Sequence, residues 1–186
     1  MSESGAVWLV IGVQAAGKST LTDRLADQFE RGVHVWGGQF YRWANRGWVH
    51  MGDPDAAEAR RLLDLRYRLS SQVADEYCAA GFTSVVQDNI FGVDVVAWLR
   101  RVRARPRHLV VLRPAPGVVA EREDARHDAT GKVAYRPGGV TIEALDRELD
   151  RTPRVGLWLD SSGQTPDETL AEILRRRDDA VVGDSL

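Results

Sequence analysis

The stretch IGVQAAGKST, residues 11–20, constrains the fold of this chain more than any other feature of the sequence. It overlaps the nearly continuous apolar run Val7–Val13, whose β-branched residues are typical of a strand buried on both faces. It is followed by Leu21, Leu25 and Phe29, which recur every four residues as the apolar face of a helix does. A buried strand, a glycine-containing turn and an amphipathic helix therefore follow one another without a linker.

The pattern Gly12-x-x-x-x-Gly17-Lys18-Ser19, placed between such a strand and such a helix, is that of a phosphate-binding loop. Backbone N–H groups of this loop form a nest for anionic oxygens, and the helix start adds its positive dipole end. We predict that the phosphates of a nucleotide bind Gly12, Gln14, Ala15, Ala16, Gly17, Lys18, Ser19 and Thr20. The alternative is a glycine turn with a chance Gly-Lys-Ser sequence.

Of the 25 lysine and arginine residues, only Lys18 and Lys132 are lysines. A lysine at position 18 therefore indicates that this position requires an ammonium group and not a guanidinium. A compact ammonium on a flexible stem folds back over the loop to the β- and γ-phosphates more easily than a planar guanidinium. The Ser19 hydroxyl is predicted to bind Mg²⁺.

The rest of the chain alternates strand and helix patterns. Further strands are predicted at 33–36, 82–88, 108–113 and 155–160, and helices at 53–80, 93–105, 118–126 and 141–150, with a last helix opening at Thr165. Such alternation indicates one α/β domain, residues 1–186, with a parallel sheet covered by helices on both faces. The polar, glycine-rich segment 127–139 is predicted to be a mobile lid.

The overall composition limits the partners. The formal net charge of −2 implies no general attraction to nucleic acid or membranes. The single cysteine, Cys78, excludes a disulfide within the chain and is expected to be a small buried residue. The N-terminal sequence lacks a basic signal region, and Val7–Val13 is too short to span a bilayer. We therefore expect a cytoplasmic protein.

Three charged residues outside the loop are candidates for catalysis. Asp88 ends the third predicted strand, at the edge where open α/β sheets place ligand-facing residues, and is predicted to partner Mg²⁺. The alternative for Asp88 is a turn cap. Arg122 and Arg126 lie four residues apart before the predicted lid, and would neutralise the charge of a transferred phosphoryl group. Their alternative is surface ion pairing with neighbouring acidic residues.

The segment 36–48 contains three of the six tryptophans, interleaved with arginines and amides. Aromatic rings with such partners suit a flat or sugar-bearing ligand. We predict that an acceptor substrate contacts Gln39, Arg42, Trp43 and Asn89. The alternative is that Trp36 and Trp43 pack beneath the long helix that follows.

These segments together resemble the P-loop small-molecule kinases with an adenylate-kinase-like core. They are most similar to the bacterial phosphotransferases grouped with chloramphenicol phosphotransferase and the tunicamycin-resistance protein. The resemblance covers nearly the whole chain and rests on GVQAAGKST, VVQDNIFG, LVVLRPAPGVVAERE with Arg126, and GLWLDSSGQTPDETL. It implies a P-loop NTPase domain with a five-stranded parallel sheet in the order 2-3-1-4-5. It also implies that Arg122 and Arg126 are lid arginines and that residues 160–166 border the adenine.

One position departs from this family. Relatives commonly carry an aspartate shortly after the second strand, where it acts as base on the acceptor hydroxyl, whereas this chain has Gly38. Gln39 can orient a hydroxyl but cannot take its proton at pH 7. Either Asp88 is the base, or no strong base is used, because a loose phosphoryl-transfer transition state depends mainly on positioning and electrostatics.

The sequence supports three functional hypotheses. The first is an ATP- and Mg²⁺-dependent phosphotransferase acting on a hydroxyl of a small molecule, an antibiotic or a nucleoside-like metabolite. The second is a nucleotide-binding resistance or regulatory protein that binds its ligand with little or no transfer. The third, a polynucleotide kinase, is suggested only by the arginine run 100–107, which lacks the interleaved aromatics of a single-strand platform. We expect a small-molecule acceptor as partner, and neither nucleic acid nor membrane; a homodimer stays open.

Overall fold

The computed structural model describes residues 5–131, 135 and 141–184. Its strands are β1 (Val7–Gly12), β2 (Gly32–Trp36), β3 (Thr83–Asp88), β4 (Arg107–Leu112) and β5 (Leu157–Leu159). They pair in parallel in the order β2-β3-β1-β4-β5. The predicted fold class, an α/β domain with this five-stranded sheet, is confirmed.

Helices lie between successive strands along the chain. They are α1 (Lys18–Ala26), α2 (Gln39–Trp43), α3 (Ala56–Ala79), α4 (Val93–Arg101), α5 (Pro116–Thr130), α6 (Ile142–Asp150) and α7 (Pro166–Arg175), followed by a 3₁₀ turn (Arg177–Ala180). No helix in the described part of the chain is long and apolar enough to cross a lipid bilayer.

The central strand β1 is buried along its whole length, which explains its continuous apolar sequence. Trp8 of β1 is fully buried and stacks on His108 of β4, with ring centroids 3.9 Å apart. Burial lowers the pKa of His108 to about 4, so this histidine is a neutral core residue at pH 7. Cys78 is also buried, as expected.

Two helix boundaries differ from the sequence-based prediction. The N-cap of α3 is Asp55, whose carboxylate accepts the Glu58 N–H at 3.0 Å, and not Asp53. Asp53 instead accepts the His50 N–H at 2.7 Å and so closes the preceding turn. Helix α4 ends at Arg101 and not at 105, because Asp75 of α3 accepts the backbone N–H groups of the next residues.

Helix α5 is longer than predicted. It continues through Thr130 and is capped by Gly131 with φ +66°, so residues 127–130 are helical and do not belong to a loop. Glycine suits this cap because the left-handed region strains residues with a Cβ. Of the remaining predicted lid, residues 132–134 and 136–139 lie outside the described residues.

Candidate active site

The turn between β1 and α1 has the backbone of a phosphate-binding loop. A Cβ on Gly12 would lie 2.5 Å from the Leu112 carbonyl oxygen, so only glycine fits where the loop leaves the sheet. Gly17 has φ +95° and Ala15 has φ +61°, and both therefore adopt the left-handed region. A left-handed alanine is uncommon and persists where the surrounding loop fixes it. Left-handed residues of this kind are found in the backbone nests that bind anions.

Lys18, the first residue of α1, folds back over this loop. Its ammonium group donates hydrogen bonds to the carbonyl oxygens of Gly12 at 2.8 Å and Val13 at 2.7 Å. Desolvation, together with the nearby positive charges of Arg66 and Arg126, lowers the pKa of Lys18 to about 7. The lysine is therefore poised to gain a proton when anionic oxygens enter the loop.

Nucleotide binding is expected to be accompanied by proton uptake at Lys18. With a pKa of about 7, the lysine of the ligand-free protein is mostly neutral at pH 8 and mostly charged at pH 6. Phosphate oxygens favour the charged form and raise this pKa. Titration calorimetry with ADP, in buffers of different ionisation enthalpy, should show net uptake at pH 8 that shrinks towards pH 6. The uptake should be absent in Lys18→Met; equal uptake in that variant would contradict the assignment.

Ser19, the predicted cation ligand, is held by a residue that the sequence-based prediction did not include. Gln87 of β3 donates from its amide nitrogen to the Ser19 hydroxyl oxygen at 3.0 Å. The signal for Gln87 was present in the sequence, since a polar residue inside an otherwise apolar buried strand needs a partner. Thr20 is exposed on the first turn of α1.

Asp88, predicted as the magnesium carboxylate, lies fully buried at the end of β3 and pairs with Arg66 of α3. Arg66 Nε donates to Asp88 Oδ2 at 3.1 Å, and its Nη2 contacts Oδ1. Asp88 Oδ1 also accepts the Asn89 N–H at 2.7 Å, so the carboxylate does act as a turn cap. A Cβ on Gly37 would lie 2.0 Å from Asp88 Oδ2, which places the carboxylate against the turn after β2.

Arg122 and Arg126 both project from α5 towards the phosphate-binding loop. Arg122 donates to the carbonyl oxygens of Ala16 at 3.4 Å and of Ser161 at 2.7 Å, which ties α5 to the loop. Arg126 forms an ion pair with Glu123, which is the alternative given for it in the sequence analysis. The positive charge of Arg126 also lowers the pKa of Lys18. Both arginines are therefore near the loop, and their roles in transfer stay predictions.

Tyr135 also reaches the loop, and the sequence-based prediction did not single it out. Its hydroxyl donates to the carbonyl oxygen of Gln14 at 2.9 Å. Burial raises the pKa of this phenol well above its usual range, so it is a neutral donor near pH 7. A residue of the predicted lid thus contacts the phosphate-binding loop directly.

The aromatic segment after β2 is at the surface. Trp43 is 66% exposed and Trp36 is 38% exposed, so the alternative that they pack beneath α3 is wrong. Trp43 lies edge-on to Phe40 with ring centroids 5.2 Å apart, and the Arg42 guanidinium lies 4.5 Å from the Trp36 ring centroid. Gln39 begins the same short helix, α2.

Arg66 links this segment to the phosphate site. The Arg66 guanidinium lies 4.5 Å from the ring centroid of Tyr41, the residue before Arg42. The positive charge of Arg66 also lowers the pKa of Lys18. Asn89 lies on the same side, because its carbonyl oxygen accepts the hydroxyl of Tyr67 from α3 at 3.0 Å. Of the predicted acceptor residues, Asn89 therefore borders the Asp88–Arg66 pair, while the contacts of Arg42 and Trp43 are with Trp36 and Phe40 of their own segment.

The donor set fits a nucleotide phosphate with a divalent cation. Four cationic side chains, those of Lys18, Arg66, Arg122 and Arg126, meet two carboxylates, those of Asp88 and Glu123. The surplus of positive charge suits polyphosphate. Among the described residues, no cluster of three His, Cys, Asp or Glu side chains forms a metal site. The Ser19 hydroxyl and phosphate oxygens are ligands of the kind that Mg²⁺ commonly takes, and Asp88 as the magnesium carboxylate stays a prediction.

Comparisons with known proteins agree with this geometry. A family model described as an AAA domain matches residues 7–154. The fold is similar to that of an unliganded sugar kinase from Janibacter sp. HTCC2649, which is 18% identical, with 94% of this chain and 95% of that chain covered and a TM-score of 0.65. A gluconokinase from Sinorhizobium meliloti 1021 is 19% identical, with 92% and 90% covered and a TM-score of 0.57.

A thymidylate kinase from Candida albicans is 14% identical, with 98% of this chain and 96% of that chain covered and a TM-score of 0.61. No curated protein matches the sequence. At these identities the structural likeness shows the fold, which is that of the P-loop kinases.

Proposed function

We propose that this chain, which belongs to the AAA domain family, is a phosphotransferase that moves the γ-phosphoryl group of ATP to a hydroxyl of a small molecule. The observation that carries the proposal is the convergence of Lys18, Arg66 and Arg126 at one end of the phosphate-binding loop. Arg66 of this cationic group pairs with the buried carboxylate of Asp88 and lies 4.5 Å from the ring centroid of Tyr41, in the segment that carries the exposed Trp36 and Trp43. We therefore propose adjacent donor and acceptor sites.

The phosphate-binding loop positions the nucleotide. Its N–H groups bind the phosphate oxygens, and Lys18 exchanges its bonds to Gly12 and Val13 for bonds to the β- and γ-phosphates. The Ser19 hydroxyl would hold a Mg²⁺ ion, which would offset the negative charge that develops on the phosphate oxygens. Arg122 and Arg126 approach from α5, where they stabilise the equatorial oxygens and the leaving ADP.

The acceptor hydroxyl is proposed to lie between Asp88 and the γ-phosphoryl group. Its oxygen forms the new bond to phosphorus as the bond from phosphorus to the β–γ bridging oxygen breaks. The proton of the hydroxyl passes to Asp88 or to solvent, and Arg66 holds the Asp88 carboxylate in place. Catalysis then depends chiefly on alignment and charge, as expected for a loose transition state.

The packing of Trp36 explains the glycine at position 38, where the family commonly has an aspartate. A Cβ on Gly38 would lie 2.7 Å from the indole nitrogen of Trp36. A Cβ on Gly37 would collide with Asp88 Oδ2. An aspartate at either position would require Asp88 or Trp36 to move, and we therefore propose Asp88 as the carboxylate that meets the acceptor hydroxyl.

The acceptor is proposed to carry a flat or sugar-like group. Trp36, Tyr41 and Trp43 present ring faces and edges beside Arg42, and such surfaces suit ring-shaped polar ligands. By its resemblance to the phosphotransferase group named above, an antibiotic or a nucleoside-like metabolite is the class we propose. The named activities of the sugar kinase and the gluconokinase make sugars and sugar acids further candidates.

A second candidate function is binding of the same ligands with little transfer. It is favoured by the tight pairing of Asp88 with Arg66, which competes with proton acceptance. A polynucleotide kinase is disfavoured, since the arginine run is occupied locally. Arg101 pairs with Asp64 at 2.7 Å, Arg105 with Asp184 at 2.6 Å, and Arg107 with the same Asp184 at 2.7 Å.

The experiment that tests the proposal is a screen for acceptor-dependent ADP production. Purified protein, ATP and Mg²⁺ are mixed with separate pools of aminoglycoside and other hydroxylated antibiotics, nucleosides, sugars and sugar acids. ADP release above the ATP-only background in one pool supports transfer. Ligand binding in that pool without ADP release supports the second candidate. Loss of any ADP signal in all pools, with no ligand binding, contradicts both.

Trp43→Ala is expected to weaken acceptor binding and leave ATP binding unchanged. Loss of aromatic stacking is worth about 0.5–1.5 kcal/mol, which corresponds to a roughly 2- to 10-fold rise in the acceptor dissociation constant. Because Trp43 is 66% exposed, the melting temperature should hold. Tyr77→Ala is the matched control, since Tyr77 is also exposed and edge-on to Phe82, but lies on α3 near its end. If both variants raised the acceptor dissociation constant equally, the acceptor would not bind at Trp43 and the proposed acceptor site would be wrong.

A further inference from the structure

The residue that contacts the predicted cation ligand is a neutral amide. Gln87 is 3% exposed, and its side chain bridges β3 and α1 by donating to the Ser19 hydroxyl oxygen at 3.0 Å. Its amide oxygen accepts a hydrogen bond from the Thr22 hydroxyl at 3.0 Å. The Thr22 hydroxyl also lies 2.8 Å from the Lys18 carbonyl oxygen, so its one proton is shared, and the bond from the amide nitrogen to Ser19 is what orients the Gln87 side chain.

A short hydrogen-bond chain fixes Thr22 in turn. Thr22 is fully buried, and its hydroxyl lies 3.0 Å from His34 Nε2 of β2. His34 Nδ1 pairs with Asp23 of α1 at 2.5 Å. Gln87 thus ends a series of hydrogen bonds that runs from the surface residue Asp23 to Ser19. A residue that only packed in the core would not need this series.

The neighbouring carboxylate faces elsewhere. Successive side chains of a strand point to opposite faces of the sheet, so Gln87 faces α1 while Asp88 faces α3. The contacts agree, because Asp88 pairs with Arg66 of α3 and lies against Gly37. In phosphate-loop NTPases generally, the cation is held by the loop serine or threonine and an aspartate. Here the side chain beside Ser19 carries no charge.

We propose that Gln87 is a positioning residue that orients the Ser19 hydroxyl towards a divalent cation, in a place where a carboxylate would accept the Ser19 proton and leave the serine oxygen a stronger cation ligand. The amide N–H takes one lone pair of the Ser19 oxygen and leaves the other directed at the cation. The cation is then held mainly by nucleotide phosphates, so it enters and leaves with the nucleotide. This inference rests on the proposed nucleotide site.

Gln87→Glu tests the proposal with almost no change of shape. A glutamate keeps the bond from Thr22 and accepts the Ser19 proton, which frees the serine oxygen for the cation and adds a negative charge beside it. Mn²⁺ binding to the protein–ADP complex is measured from the electron paramagnetic resonance signal of free Mn²⁺. The Mn²⁺ dissociation constant should fall by about 10-fold or more, the scale on which such supporting partners act.

Two controls separate orientation from mere structure. In a Ser19→Ala background, Gln87→Glu should lose most of its effect on Mn²⁺ binding, because the oriented hydroxyl is gone. Without a cation, ADP affinity of Gln87→Glu should be unchanged or weaker, since the added charge repels phosphate. An unchanged Mn²⁺ dissociation constant in a folded Gln87→Glu protein, or an equal effect without the Ser19 hydroxyl, overturns the proposal.

Gln87→Met covers the case in which the glutamate variant fails to fold. Methionine has a similar length and cannot hold the Ser19 hydroxyl, so Mn²⁺ affinity in the ADP complex should fall by about 10-fold or more. Cation-free ADP affinity should hold. Equal losses with and without cation would make Gln87 a packing residue only and overturn the inference. If the wild-type protein fails to bind ADP even without a cation, the proposed function is wrong, and the inference about Gln87, which rests on it, is wrong as well.

Discussion

Lys18→Met is expected to lower the turnover number for phosphoryl transfer by at least about 10²-fold, the scale on which removing one preorganised charge acts. The lysine ammonium lies on the phosphate-binding loop, where its hydrogen bonds within the described part of the chain go to the Gly12 and Val13 carbonyl oxygens. It is therefore free to follow the charge that develops on the β- and γ-phosphates. Steady-state kinetics with an acceptor found by the screen measures the loss.

The fold should survive this replacement. Burial depresses the pKa of Lys18 from 10.5 to about 7, so the unfolded chain binds more protons between these values. The contribution of this group to stability therefore rises with pH across that window and is least favourable below pH 7. Lys18→Met should consequently melt no lower than wild type at pH 6, and its advantage should shrink at pH 9.

The matched control for Lys18 is Arg24→Met, on the same helix. Arg24 pairs with Asp167 at the surface and does not contact the loop, so its replacement should leave turnover unchanged. Lys18→Arg should also fail to restore transfer, because the planar guanidinium folds back poorly. A near-normal turnover number for Lys18→Met would contradict the assignment of residues 12–19 as a phosphate-binding loop.

Asp88→Asn is expected to produce the second large effect, a loss of both stability and transfer. The substitution leaves Arg66, whose side chain is 10% exposed, as a buried charge without its ion-pair partner. Breaking such a pair costs about 3–5 kcal/mol in the free energy of unfolding. Turnover should fall by about 10²-fold or more, the scale of general acid–base contributions. Chemical denaturation and steady-state kinetics measure the two effects separately.

A double-mutant cycle separates the structural from the chemical part. Asp88→Asn combined with Arg66→Gln removes both charges, so much of the lost stability should return. Turnover should stay low if Asp88 positions or deprotonates the acceptor. Recovery of turnover together with stability would show that Asp88 acts only by holding Arg66.

A Mg²⁺ titration of Asp88→Asn distinguishes the two predicted roles of the carboxylate. Because Asp88 faces Gly37 and Arg66 while Gln87 contacts Ser19, we expect high Mg²⁺ not to restore turnover. Restoration would instead make Asp88 the cation partner and place the acceptor base elsewhere.

The sheet and the loop were predictable because local patterns determine them. The run Val7–Val13 is apolar since both faces of β1 are covered, and the two glycines are required by the backbone itself. The Thr165–Glu168 capping box at α7 is likewise a local signal, and the structure forms it. The order of the strands follows from the resemblance to P-loop kinases and is confirmed.

The side-chain partners of the site were not predictable from local patterns. Arg66 reaches Asp88 across 22 residues of sequence, and Gln87 reaches Ser19 across 68. Periodicity places Arg66 on the apolar stripe of α3 and Gln87 in a buried strand, which predicts that each needs a polar partner. It does not say which partner, because that depends on how α1 and α3 pack on the sheet.

Transfer to a hydroxyl can be followed by ³¹P nuclear magnetic resonance of the protein with ATP, Mg²⁺ and the acceptor that stimulates ADP release most. We expect a phosphomonoester signal of the acceptor to grow at the same rate as the ADP signals, with little inorganic phosphate. We expect this signal to be absent with Lys18→Met. ADP accompanied only by inorganic phosphate, at a rate that the acceptor does not change, would contradict transfer to a hydroxyl.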